Sequence, residues 1–188
     1  MSHAPKQNRP RGRALRAIAP IAAVSAIALS APAPVAAAGS CAGADANPAT
    51  TSMKVVKRAT VCLLNQQRRK HHLKGLRTNG RLSLASQRHA NDMTRRKYFA
   101  HGNFVGRIKS ARYLSGSGSW SVGENIAWGS GNLATPRQIV KAWMDSPPHR
   151  HNILSGNFRE IGIGVARGVP VHANYDGATY ATDFGRRG

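Results

Sequence analysis

The chain reads as an α+β protein, with helices packed on an antiparallel sheet. Apolar residues recur at helical spacing in three segments, and two β-like runs close the chain. Helices come first and strands follow, where an α/β protein would alternate them.

The first helix is predicted over 52–71, where Val55, Val56, Ala59, Cys62 and Leu63 share a face. The second covers 82–97, with Leu82, Ala85, His89 and Met93 along one side. The third starts with Thr135 as N-cap and Pro136 at the first helical position; it ends near Asp145, where Pro147-Pro148 stops it. The β-like runs are 161–165 and 179–182, the second ending at Phe184-Gly185. Gly162 and Gly164 inside the first run read as places of close backbone approach. Residues 115–119 alternate Ser and Gly and read as a flexible stretch.

Residues 1–16 are basic without an acid, residues 17–31 are apolar, and Pro32, Pro34 and small residues follow. That order reads as a secretory signal peptide cut near Ala38. The apolar run is too short for the roughly 20 residues of a spanning helix and is broken by Pro20, so no transmembrane anchor is expected. Lipidation at Cys41 is the minor alternative, because Ala38-Gly39-Ser40 lacks the leucine of a lipoprotein lead-in. Residues 39–51 read as a linker or loosely held arm, and 52–188 as one domain.

The sequence has 28 basic and 7 acidic residues. Without the five cations before the cut, 23 basic residues face 7 acidic ones, a formal net charge of +16. Such an excess attracts anionic polymers or membrane surfaces, or serves solubility alone. The cations are scattered and aromatics are few, so nucleic acid is not the expected partner. Outside the cell, an anionic envelope polymer or lipid head groups fit better. Cys41 and Cys62 lack metal-ligand spacing; in an oxidising exterior they pair, the alternative being two free thiols.

Most side chains capable of chemistry lie in three blocks: Tyr98-Phe99-Ala100-His101, Gly123-Glu124-Asn125-Ile126-Ala127, and residues 143–154. Glu124 is one of only two glutamates. With His101 and His149 it offers two neutral nitrogen donors and a carboxylate, a set suited to a divalent metal such as Zn²⁺ or to proton transfer. Its structural alternative is to accept backbone N–H bonds and anchor a loop. His151 is expected to face away from His149, and His89 to pack within its helix. Arg150 and Asn152 are expected on neighbouring backbone and carboxylates; Trp143, Ile153, Leu154 and Phe158 in the core. No Gly-x-Ser-x-Gly elbow or Walker-type loop is present, and a paired Cys62 is no nucleophile.

Six motifs in this order resemble bacterial secreted domains of the cysteine-rich secretory protein, antigen 5 and pathogenesis-related 1 (CAP, or SCP-like) family. They are His89-x-x-x-Met93, Tyr98-Phe-x-His101, Gly123-Glu-Asn-Ile-Ala127, Trp143-x-x-Ser146-Pro-x-His-Arg-x-Asn-Ile-Leu154, Ile161-Gly-Ile-Gly164 and Tyr180-x-x-x-Phe184-Gly185, spanning about residues 55–185. The resemblance implies an α-β-α sandwich with a solvent-facing cleft. There His101 and His149 correspond to the family's two histidines and Glu124 to its acid. Where eukaryotic members carry a second Glu, this chain has Ser146, which removes one carboxylate and weakens the case for catalysis.

The expected function is thus a secreted binding module. Its metal-capable cleft is built from His101, Glu124 and His149, supported by Ser146, Asn125 and Arg150, and its ligand is a lipid or anionic envelope polymer. A monomer is expected. The alternatives are a metal-dependent hydrolase using Glu124 as base, and a purely structural or interaction module.

Overall fold

The computed structural model describes residues 40–173 and 175–188, so the expected signal peptide lies outside the described residues. The chain runs α1 (Met53–Lys70), β1 (Arg77–Thr78), α2 (Gly80–Arg96), α3 (Phe104–Ser110), β2 (Trp120–Ser130), a 3₁₀ turn (Gly131–Ala134), α4 (Pro136–Asp145), α5 (Pro147–Leu154), β3 (Glu160–Arg167) and β4 (Gly177–Arg187). The four strands lie in the order β1-β3-β4-β2. β4 pairs antiparallel with β3 and β2, whereas β1 lies parallel to β3, so the sheet is mixed where an antiparallel one was expected.

Period-2 alternation sorts the side chains of β3 onto the two faces. Ile161, Ile163 and Val165 join α1, α4 and α5 in the main core, with Leu64, Trp143, Ile153, Tyr180 and Phe184. On the other face lies α2, packed through Leu82 and Ala85 in one cluster and Ala90 and Met93 in another. A Cβ at Gly162 would lie 2.1 Å from the backbone of Leu82, and one at Gly164 2.2 Å from that of Ser86. Only bare glycine backbone lets α2 lie this close to the sheet, which is the close approach expected of the Ile-Gly-Ile-Gly run.

The three expected helices form, within about two residues of their predicted ends. Asn79 caps α2 by accepting from the Arg81 and Leu82 amides, and Thr135 caps α4 ahead of Pro136. The Pro147-Pro148 pair ends α4 as expected, but it also opens α5. Extended Ser146 breaks the helix axis, and Pro147 at the first position suits a new start. β2 was not expected, because its Gly, Ser, Asn and Glu residues have low strand propensity; pairing with β4 along all 11 residues overrides that preference. Both of its outward carbonyls near the site are covered: Trp143 Nε1 donates to Ile126 O at 3.1 Å and Asn152 Nδ2 to Glu124 O at 3.1 Å.

The segment expected as a loose arm is fastened down. Cys41 and Ala44 are buried, Arg137 pairs with Asp45, and Arg167 donates to Pro48 O and Thr51 O. Cys41 is bonded to Cys62 of α1 across a separation of 21 residues. Arg68 is buried at the far end of α1 and donates to Lys74 O, Ile153 O and Ser155 O, tying the end of α5 to α1.

Replacing both Cys41 and Cys62 by Ser frees that loop in the unfolded chain. We expect a loss of about 3 kcal/mol of stability, read from urea melts fitted for both midpoint and slope, the slope rising as the unfolded chain expands.

Candidate functional site

Glu124 sits mid-strand in β2, directly opposite Asp183 of β4, so both side chains point to the α2 face. The Glu124 side chain is 1% exposed. A buried carboxylate needs partners for both oxygens. Oε1 lies 2.8 Å from His101 Nδ1, Oε2 accepts from the Arg107 guanidinium at 2.6 Å, and His89 Nε2 stands 3.9 Å from Oε2. Local backbone delivers these partners. Lys97 closes α2 in the left-handed conformation, and Gly102 takes a φ of +55° just after His101. Asn103 then caps α3, which carries Arg107 one turn in.

The opposite side of β2 faces α5. Asn125 Nδ2 donates to His149 O at 3.0 Å, and Asn152 Nδ2 donates to Asn125 Oδ1 at 2.9 Å and to Glu124 O. A Cβ on Gly123 would press on Phe158 and on Asn152 Oδ1, so glycine makes room for this seam. His149 Nδ1 lies 2.9 Å from Ser146 Oγ. Its pKa is lowered, first by burial and then by the charge of His101.

Behind Glu124 is a second buried acid. Asp183 Oδ2 accepts from Ser86 Oγ at 2.7 Å, and burial followed by the Glu124 charge pushes its pKa up to about 7. His89 is buried with neither ring nitrogen in a completed hydrogen bond among the described residues, and desolvation lowers its pKa. It fills space beside Tyr98, as the packing expectation had it.

The structure therefore joins His101 to Glu124 directly, whereas the His149 imidazole contacts Ser146 and it is the His149 backbone carbonyl that is tied to β2 through Asn125. Arg150 departs from expectation: it is exposed on α5 and lines a separate groove with His151, making no side-chain hydrogen bond or ion pair among the described residues. Helical spacing turns its side chain outward while Asn152, two positions on, reaches the strand. Arg107 and Asp183 were missed. A lone acid inside the apolar run Thr179-Tyr-Ala-Thr-Asp183-Phe was a signal for the second; nothing marked Arg107 among so many arginines.

The sequence profile of the Cysteine-rich secretory protein family, CAP, matches residues 61–171. The chain belongs to the CAP family. It is 37% identical over 121 residues to YkwD of Bacillus subtilis (strain 168), an alignment covering 62% of this chain and 44% of that protein. It thus spans less than half the length of the curated relative. Its fold is that of an outer surface protein from Borrelia burgdorferi, with a TM-score of 0.60, 20% identity, and coverage of 73% of this chain and 97% of the other. It also matches an extracellular protein containing a SCP domain from Bacillus anthracis, with a TM-score of 0.55, 23% identity, and coverage of 73% and 44%. No helix among the described residues is long and apolar enough to cross a membrane.

Within this CAP domain, no group of three His, Cys, Asp or Glu side chains among the described residues is arranged to hold a metal. The reason is local: both Glu124 oxygens are taken, by His101 and Arg107. What remains is the Nε2 edge of each imidazole, with each Nδ1 held by a neighbour.

Asp183 binds its proton more tightly when folded, so N holds more protons than U between the unfolded carboxyl range and about 7. Its contribution to stability is present at low pH and lost as pH rises through about 7. Asp183→Asn keeps the neutral shape and should lose less stability between acid and neutral pH than the parent chain does, as read from paired urea melts.

Proposed function

We propose that this CAP-domain protein acts outside the cell as a binding module, with His101 and His149 as the open, metal-capable edge of its cleft and an anionic envelope polymer or lipid head group as its ligand. The observation that carries this reading is the sealed carboxylate. Glu124 is spent on orienting His101 and neutralising Arg107, so it serves as a positioning group rather than a general base, and nothing in the geometry favours the hydrolase alternative. His101 and His149 would hold the ion through Nε2, and a bound Zn²⁺ would supply a Lewis-acid contact for an anionic oxygen of the ligand.

Charge distribution supports the anionic ligand. Asp45, Asp92, Glu124, Asp145 and Glu160 are all paired with Lys or Arg, and Asp183 is buried. Few acids are left to offset the remaining cations on the surface. The extracellular placement of the Bacillus anthracis SCP-domain protein and the surface location of the Borrelia burgdorferi protein agree with export.

Zn²⁺ titrated calorimetrically into the purified protein should bind, and binding should fade in acid, because a metal-ligating imidazole must be unprotonated. His101→Ala with His149→Ala should abolish binding, whereas Glu124→Gln should weaken it by roughly 10–100-fold, as loss of an orienting partner does. Unchanged affinity in the double variant would remove the cleft from consideration. Separately, retention on isolated cell envelopes should collapse between low and high salt, because screening removes long-range attraction between exposed charges. Salt-independent retention would refute the electrostatic part of the reading.

A further inference from the structure

A second feature lies at the opposite edge of the sheet from β2. β1 covers only the start of β3, through pairing at Glu160 and Ile161. Alternate residues of β3 turn their backbone groups outward along this edge. Arg77 N donates to Arg159 O and Asn79 N to Ile161 O. Further along, the Gln87 side chain takes both groups of Val165, donating from Nε2 to the carbonyl and accepting at Oε1 from the amide. Ile163 stands between these two covers with the same orientation, and its outward N–H and C=O have no partner among the described residues. Unpaired backbone groups in a largely buried residue are rare in folded proteins and mark a place where another chain can pair.

Ile163 opens onto a groove of about 350 Å³ between α1 and the start of α2, a size at the small end of ligand sites. Val61 and Ile163 form its apolar floor, and Lys54, Lys57 and Arg58 its rim. These α1 residues fall at i, i+3, i+4 and i+7, so they form one stripe. Like charges at that spacing repel. Lys57 meets only the neutral Gln87 Oε1 at 3.3 Å, and neither Lys54 nor Arg58 has an acidic partner among the described residues. Each of the ion-paired acids is bound elsewhere, so the stripe presents positive charge without an ion-paired acid among the described residues.

We propose that this groove binds an acidic peptide segment in extended conformation. One of its residues pairs with the N–H and C=O of Ile163, a flanking apolar side chain rests on Val61, and carboxylates sit against Lys54, Lys57 and Arg58. A free strand edge favours a backbone with amides over an acyl chain, which has no groups to pair there. The site is separate from the His101–His149 cleft and does not depend on its role.

The test uses the disulfide-bonded protein and a fluorescent, capped peptide of alternating Glu and Val, with fluorescence anisotropy as the readout. Lys54→Glu with Arg58→Glu should weaken binding about tenfold or more, with the circular dichroism spectrum unchanged. Methylating the central peptide amides should weaken it by a similar factor, because the pairing hydrogen bonds are lost. His101→Ala with His149→Ala should leave affinity as it was. Several results would overturn the proposal: no binding, affinity indifferent to the charge reversals, or loss of binding in the histidine variant. Equal affinity for the methylated peptide, or its full displacement by phosphatidylglycerol vesicles, would show a charge-only or headgroup surface instead, and the strand-pairing site would fall.

Discussion

The burial of Glu124 is the constraint around which the domain is organised. An isolated carboxylate in so dry a place would cost several kcal/mol, and only close, charge-assisted partners offset that. Arg107 and His101 supply them from α3 and from the loop after α2. The same strand carries Asn125 toward α5, so one stretch of β2 holds both the Glu124 cluster and the start of α5. Removing Arg107 would leave a bare buried charge, a larger penalty than the net worth of the pair itself.

A second acid behind the first makes the arrangement asymmetric. Asp183 faces Glu124 across the strand pair, and two carboxylates this near and this buried do not both ionise readily. Arg107 pairs with Glu124, and the Ser86 hydroxyl donates to Asp183. The result is one carboxylate held by His101 and Arg107 and a second acid, its pKa raised to about 7, held against α2. This depends on α2 lying flat on the sheet, which the bare backbone at Gly162 and Gly164 allows.

Much of this could be read from the residues. Helical periodicity located α1, α2 and α4, the Thr135-Pro136 pair marked a helix start, and the two cysteines pointed to their bridge. The rarity of Glu in a basic chain singled out Glu124, and the block order pointed to His101, which the structure joins to it. Less visible were α5, hidden behind a proline pair that both ends and begins a helix, and β2, whose small polar residues have no strand pattern. Arg107 was hidden by abundance and Asp183 by its apolar neighbours.

Composition and periodicity thus determined which residues were unusual and which segments would bury an apolar face, because those are local properties of the chain. Whether Glu124 would be an open ligand or a sealed support was not local. It turned on which side chains the strand register and helix packing brought within bonding distance. The same holds for the bare edge at Ile163, which exists only because β1 stops short and Gln87 covers the next position. Roles of this kind arise from neighbours far apart in sequence, and only the folded chain assigns them.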